Sequence, residues 1–311
     1  MPTLKELATR KDPLSGGHRA CSGCGAPIVV RQVLMASKDP VVVTCATGCL
    51  EVVTTIFPYT AWKVPFLHNA FENSAATCSG IEAAFQALKR KRKLKTEHVN
   101  FVAFGGDGGT YDIGFQSLSG AMERGHDMLY VCYNNEAYMN TGIQRSSATP
   151  KGASTTTAPA GKVIPGKIKF SKNLTEIIVE NDIPYVAQSA VGFWRDVTSK
   201  AEKAFSIRGP KFMNVLQPCR LGWAYDPKLT CEIGRLAADT CVWPIYEVEN
   251  GKYKLNYKPK QKKPVADFLK LQGRFRHLSK PGNEQIIEDI QKEVDRRWEA
   301  LLRKCEQSQS D

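Results

Sequence analysis

No run in this 311-residue chain approaches the ~20 consecutive apolar residues that a membrane-spanning helix needs. The segment from Met1 to Asp12 is polar and mixed in charge, without the apolar core of a signal peptide. These absences argue against a membrane partner and lead us to expect a cytoplasmic protein. Basic residues outnumber acidic ones, 43 Lys and Arg against 31 Asp and Glu, for a net charge of +12. They are nowhere interleaved with aromatics as in a nucleic-acid motif, so nucleic acid is not an expected partner. The excess charge fits a small acidic electron carrier or a polyphosphate cofactor, and equally a solvated surface or one complementary to sister subunits. No internal repeat is present. Ten cysteines in a cytoplasmic chain read as metal ligands or buried thiols rather than disulfides. With 42% hydrophobic and 24% charged residues, the composition is that of a soluble globular protein, long enough for one large or two ordinary domains.

The chain is organised around the stretch from Gly105 to Asn140. Val99 to Phe104 is a short apolar run that stops at glycines, the pattern of a buried strand. Gly105-Gly106-Asp107-Gly108-Gly109 follows. Tyr111, Phe115, Leu118 and Met122 then recur on one face of an expected helix, and Met128 to Tyr133 reads as the next strand. Glycines between a strand and a helix let the backbone approach a diphosphate, and the helix N-terminus supplies N–H donors. Asp107 adds a hard carboxylate. With an oxygen from the Asn134-Asn135 turn it is suited to hold Mg²⁺ against phosphate oxygens. Gly106-Asp107-Gly108, a gap of twenty-five residues, then Asn134-Asn135 resembles the thiamine diphosphate signature.

Around this unit an α/β alternation is expected. Helices are predicted over Ala26 to Ala36, Ser79 to Leu88, Asn173 to Val179 with Asn173 as the cap, and Arg195 to Phe205; strands over Val41 to Val43, Tyr185 to Ala187 and Lys211 to Leu216. Residues 1–17 read as a polar arm. Met139 to Lys169 is too long for an ordinary connection and reads as a lid, a binding loop or a disordered segment, with Lys162, Lys167 and Lys169 as candidates to meet the phosphates of a second substrate. His68, Glu51 and Glu72 are possible acid–base groups, though residues of these types are more often structural or solvated. Beyond about residue 235 the character changes: a hairpin-like turn at Glu249-Asn250-Gly251-Lys252, a Pro/Lys-rich connector, and a final amphipathic helix marked by Ile287, Ile290, Val294, Trp298 and Leu301. The expected division is a cofactor-binding α/β domain over 1–235 and a C-terminal extension over 236–311 that packs on the core or on partner subunits.

Cys21-x-x-Cys24 alone is ambiguous among a redox pair, half a zinc site and half an iron–sulfur site. Cys45 and Cys49 offer a third ligand, and Cys219 stands just past the predicted strand ending at Leu216. Ligands in open α/β sheets gather at the C-terminal strand ends, where Asp107, Asn134 and Cys49 also fall. Four thiolates suit zinc or a [4Fe–4S] cluster on ligand type alone. Beside a thiamine site an electron acceptor has a use and zinc has none.

Together, Cys21-x-x-Cys24, Ala46-Thr47-Gly48-Cys49, Gly106-Asp107-Gly108-Gly109, Asn134 to Gly142, Gln217-Pro218-Cys219 and Phe268 to Phe275 resemble the β subunit of the pyruvate:ferredoxin oxidoreductase (2-oxoacid:ferredoxin oxidoreductase) family. The resemblance implies a thiamine diphosphate-binding α/β fold, mostly parallel with helices on both faces. It implies that Cys21, Cys24, Cys49 and Cys219 hold one [4Fe–4S] cluster, and that Asp107, the Asn135 side chain and the Ala137 carbonyl bind Mg²⁺ on the cofactor. Gly106, Gly108 and Gly109 would line the diphosphate, and Asn140 would sit beside the thiazolium and the substrate as the catalytic residue. The implied reaction is oxidative decarboxylation of pyruvate with coenzyme A to acetyl-CoA, CO₂ and reduced ferredoxin. The family places the Glu that faces the aminopyrimidine on a partner α subunit, so this chain alone is expected to be inactive. Tight cysteine runs of a two-cluster relay are absent, which implies γ- and δ-type ferredoxin-like subunits as well. Oxalate without coenzyme A, another 2-oxo acid, a non-redox thiamine lyase or transferase with structural zinc, and a zinc-stapled scaffold are the competing readings.

Overall fold

The computed structural model of the chain describes residues 3–310. Eight strands form one sheet in the order β2-β1-β3-β4-β6-β5-β7-β8. They are β1 (Val41–Ala46), β2 (Phe66–Asn69), β3 (Asn100–Gly106), β4 (Leu129–Asn134), β5 (Tyr185–Ala190), β6 (Lys211–Leu216), β7 (Ile245–Glu249) and β8 (Lys252–Tyr257). The first six pair in parallel. The hairpin β7–β8 adds antiparallel to β5. The fold is therefore the mostly parallel α/β arrangement expected.

Parallel strands covered on both faces must be apolar on both, and β3 and β4 are. Val102, Phe104, Leu129, Val131 and Tyr133 face one core, shared with helices α2 (Ala26–Leu34) and α7 (Trp194–Ser206). Phe101, Ala103, Tyr130 and Cys132 face the other, shared with α4 (Ser74–Arg90), α5 (Phe115–Glu123) and the last helix, α10 (Glu284–Ser310). Short α1 (Leu4–Thr9), α3 (Cys49–Thr54) and α6 (Leu174–Val179), with α8 (Thr230–Asp239) and α9 (Val265–Leu269), complete the helices. No helix of the described residues is long and apolar enough to cross a membrane.

The strands and helices predicted from apolar runs are present, most of them longer than predicted by a few residues. The differences have physical causes. The expected helix from Tyr111 opens instead with a π-helical turn over Gly109–Ile113 before α5 begins at Phe115. That wider turn sends Tyr111 into the core, where its hydroxyl accepts from Asn134 Nδ2 at 2.9 Å and Asn214 Nδ2 at 2.8 Å. The polar arm is partly built: Thr3 and Glu6 form a capping box on α1, and Leu14 is fully buried beside Trp62. Asn173 precedes α6 without a side-chain capping bond. The hairpin turn at Asn250-Gly251 has φ of 48° and 77°, the left-handed pair that a tight two-residue turn requires. Residue 235 lies within α8, and the strands after it continue the same sheet.

The sheet order makes β1, β3, β4 and β6 consecutive neighbours. Their C-terminal ends lie side by side, and the segments that leave them carry Cys49, Asp107, Asn135 and Cys219.

Helix α10 covers this sheet through Trp298, Leu301 and Cys305. Truncating a buried Trp removes both its transfer free energy and its packing, so Trp298→Ala is expected to destabilise the fold by ~3–5 kcal/mol in urea unfolding followed by circular dichroism.

Candidate cofactor and metal site

Where β3 ends, the backbone passes too close to its neighbours for side chains. A Cβ on Gly108 would stand 2.4 Å from the Tyr138 ring, and one on Gly109 would stand 2.7 Å from the Phe71 carbonyl oxygen. Between strand and helix lies Asp107, 1% exposed. Its Oδ1 accepts from the Asn135 backbone N–H at 3.1 Å and its Oδ2 from Ser146 Oγ at 2.5 Å. Burial outweighs both bonds and pushes the Asp107 carboxyl up to about 7. A carboxylate so placed lacks a positive partner, which a bound cation would supply.

The turn after β4 is held rigidly. Glu136 has φ of 64°, costly for a residue with a side chain. Its carboxylate pairs with Arg274 Nη2 at 2.5 Å, both side chains being almost wholly buried. Burial pushes the Glu136 carboxyl up and the Arg274 guanidinium down, and each opposes the shift of the other. Arg274 also lies 3.7 Å over the Trp223 ring, and Trp223 Nε1 donates to the Asn135 carbonyl at 2.8 Å.

This scaffold presents the Asn135 side chain to Asp107 and Ala137. One terminal atom of the amide lies 2.9 Å from the Ala137 carbonyl oxygen and 3.0 Å from Asp107 Oδ1; the other lies 3.0 Å from Gln217 Nε2. With nitrogen inward the amide donates to both oxygens and accepts from Gln217. With oxygen inward three oxygens converge without a proton among them. An octahedral cation with metal–oxygen bonds of ~2.0–2.1 Å sets adjacent oxygens about 2.9 Å apart, the spacing found here. The residues therefore fit Mg²⁺ in the oxygen-inward arrangement.

Cys21, Cys24, Cys49 and Cys219 come from three separate segments. The first two flank a turn closed by Cys24 N donating to Cys21 O at 2.9 Å, Cys49 opens α3, and Cys219 follows β6. Burial pushes the Cys24 thiol up to about 11 and that of Cys49 to about 12, and raises that of Cys219. The four thiols lie within electrostatic reach: Cys219 and Cys21 raise Cys24, all three others raise Cys49, and Cys21 raises Cys219. Among the described residues no group of three or more His, Cys, Asp or Glu side chains is placed so that it could hold a metal ion. The donor set is nonetheless all-thiol, and its mutual repulsion as thiolates is what a cationic metal centre relieves. Cys45 lies fully buried in β1, with its thiol raised by burial and by Glu51.

One cleft joins parts of the two groups. Gly106, Gly108, Gly109, Asn135, Ala137 and Asn140 line it together with Gly48 and Cys49. Asn140 is exposed at its mouth, near enough to Cys49 to act on its thiol.

Other expected groups are placed differently. Lys167, a candidate for phosphate, is buried, with its amine donating to the carbonyls of Ser146 and Ser147 at 3.3 Å each and to that of Thr149. It braces the loop from Met139 to Lys169, which is a packed wall in which Ser146, Ala148, Thr149 and Ala153 are buried. Lys162 and Lys169 are exposed. His68 bonds Thr47 Oγ1 at 2.8 Å and stands 3.5 Å from Glu51, beside Cys49, while Glu72 is half-buried in the turn before α4. Sequence reasoning missed Ser146, Glu136, Trp223, Gln217 and Arg274. Only Glu136, Gln217 and Arg274, lying inside recognised motifs, carried any signal.

The chain is similar to known proteins over most of its length. The family described as thiamine pyrophosphate enzyme, C-terminal TPP binding domain, matches residues 46–215. The chain is 55% identical over 293 residues to pyruvate synthase subunit PorB of Methanocaldococcus jannaschii, covering 94% of this chain and 97% of that one. It is 52% identical over 309 residues to the PorB subunit of Thermotoga maritima, covering 96% and 95%. Ketoisovalerate oxidoreductase subunit VorB of Pyrococcus abyssi is 44% identical over 93% of this chain and 92% of its own. A solved 2-oxoglutarate:ferredoxin oxidoreductase from Magnetococcus marinus shares the fold, with a TM-score of 0.55 at 18% identity over 72% of this chain and 79% of that one.

Removing one partner of a buried ion pair strands the other charge. Arg274→Ala is expected to cost ~3–5 kcal/mol in urea unfolding, and Arg274→Met combined with Glu136→Gln much less. Equal losses would mean that no charge is stranded.

Proposed function

This chain belongs to the PorB family of pyruvate synthase subunits, thiamine pyrophosphate-dependent oxidoreductases of several subunits, and we propose that it holds Mg²⁺, thiamine diphosphate and one proximal [4Fe–4S] cluster in a 2-oxoacid:ferredoxin oxidoreductase acting on pyruvate. The observation that carries this reading is a cleft lined by Asn135, Ala137, Asn140 and Cys49, with the Asp107 carboxylate against the Asn135 amide. When bound, thiamine diphosphate supplies the electron sink for decarboxylation of a 2-oxo acid, and the cluster takes up electrons singly.

The work of this chain is placement. Asp107, Asn135 and the Ala137 carbonyl would hold Mg²⁺, while Gly106, Gly108 and Gly109 admit the diphosphate to the backbone N–H groups at the start of the following helical turn. Cys21, Cys24, Cys49 and Cys219 would ligate the cluster. Asn140, which lines the same cleft as Cys49, would stand between the two groups and touch the substrate, which makes it the candidate catalytic residue. In this reading residues 1–235 form the cofactor-binding unit, and 236–311 form an extension that braces it through Arg274.

A partner α subunit would complete the thiamine pocket with the acid facing the aminopyrimidine. Coenzyme A would accept the acyl group, and γ- and δ-type ferredoxin-like subunits would carry electrons to ferredoxin. A branched-chain 2-oxo acid is the second reading of the substrate, resting on the likeness to the ketoisovalerate enzyme.

Metal and acid-labile sulfide analysis of the anaerobically purified complex tests the redox assignment. Iron and sulfide in equal amounts are expected, and zinc without sulfide overturns the reading. Cys219→Ser is expected to disturb the cluster, seen by its absorbance and by iron content, and Cys45→Ser to leave it intact. Asp107→Ala is expected to abolish thiamine diphosphate binding measured by calorimetry in the presence of Mg²⁺.

A further inference from the structure

Between the oxygen pocket and the cysteine loops stands one side chain, that of Gln217, the first residue past β6. It is 2% exposed, and its backbone N–H donates to the Asn134 carbonyl at 2.8 Å. Its Nε2 lies 3.0 Å from the outer atom of the Asn135 amide. Its Oε1 is buried without a hydrogen-bond partner. On the far side it packs on Gly25, the residue after Cys24: a Cβ there would lie 2.9 Å from Gln217 Cβ and 3.2 Å from Oε1. Cys219 is two residues further along.

A primary amide offers an acceptor at one terminus and two donors at the other, so two amides that face each other must be matched. When the Asn135 nitrogen points inward, its oxygen faces Gln217 and accepts from Nε2, which leaves Oε1 unpartnered. When the Asn135 oxygen points inward, as a cation requires, its nitrogen faces Gln217. That nitrogen finds an acceptor only if the Gln217 amide turns to present Oε1. The second arrangement satisfies both the Asn135 donor and the Oε1 atom that the first leaves unpaired, and in exchange turns Gln217 Nε2 away from Asn135 toward Gly25.

We propose that Gln217 is a positioning residue for the cation site, turning in concert with Asn135, so that cation binding is coupled to the orientation of the amide packed on Gly25 beside the cysteines. This rests on the reading of Asp107, Asn135 and Ala137 as cation ligands. Gln217 itself meets neither the cation nor the diphosphate and acts through Asn135. By linkage, whatever fixes Gln217 on the Gly25 side alters affinity at the oxygen pocket, and the reverse holds equally.

The test titrates Mn²⁺ in place of Mg²⁺ into the assembled enzyme complex with thiamine diphosphate present, reading free Mn²⁺ from its electron paramagnetic resonance amplitude. Gln217→Met, or Gln217→Leu if the Met variant does not assemble, removes the partner. Cation binding then buries the Asn135 amide nitrogen unpaired, and the Mn²⁺ dissociation constant is expected to rise about tenfold. Gln217→Glu offers only acceptors, matching the one arrangement the cation needs, and is expected to leave the constant within about twofold of wild type or to lower it. This opposite behaviour is what a purely space-filling role would not produce. Equal weakening in both variants, or no change in the Met or Leu variant, overturns the proposal. A wild-type complex that binds thiamine diphosphate but no Mn²⁺ refutes the cation-site reading itself, and the proposal with it.

Discussion

Burying a carboxylate at the end of a central strand costs several kcal/mol unless charge or hydrogen bonds compensate it. Asp107 is in that position, hydrogen-bonded by the Asn135 backbone N–H and the Ser146 hydroxyl, and burial still raises its carboxyl above the usual range. The surrounding structure is arranged around this constraint. The neighbouring strands bring Asn135 and Ala137 to the same end of the sheet, Ser146 reaches in from the long loop, and the oxygens converge at a cation's spacing. In the proposed reading, a charge left short in the protein is what would allow Mg²⁺ and a diphosphate to bind as a unit.

Maintaining that geometry draws on distant parts of the chain. The strained φ of Glu136 holds because Arg274, 138 residues away, is buried against it, and because Trp223 fixes the Asn135 carbonyl. The loop from 139 to 169, whose length suggests a lid, a binding loop or a disordered segment, packs inward in part, with Ser146, Thr149 and Ala153 buried and Lys167 satisfying three of its carbonyls. The C-terminal segment is thus part of the site's support, although it carries none of the proposed ligands.

Much of this was legible in the sequence, for identifiable reasons. The strands are short apolar runs because both faces are covered, and the spacing from Asp107 to Asn135 follows from one βαβ crossover. Cysteine is distinctive enough in chemistry that Cys21, Cys24, Cys49 and Cys219 could be grouped before any fold was known, and the fold does bring them within electrostatic reach. What stayed hidden was long-range or aperiodic. The π-helical turn at Tyr111 leaves the helical repeat undisturbed on paper, the β2 edge strand has only four residues, and Leu14 lies in a segment that reads as polar. Ser146 belongs to no local pattern, and the Phe268 to Phe275 motif that holds Arg274 says nothing of its partner, because both partners are fixed only by tertiary structure.

In the proposed reading the cysteines would decide what kind of thiamine chemistry the cleft serves, and Asn140 and Cys49, which line it together, would join its two ends. The account stands or falls on the oxygen pocket gripping a cation against the diphosphate. Electron–nuclear double resonance on the Mn²⁺-substituted complex measures this directly through coupling to the phosphorus nuclei of thiamine diphosphate. The account predicts strong ³¹P coupling in the wild type that disappears in Asn135→Leu. Bound Mn²⁺ without ³¹P coupling, or coupling unchanged by that substitution, would contradict it.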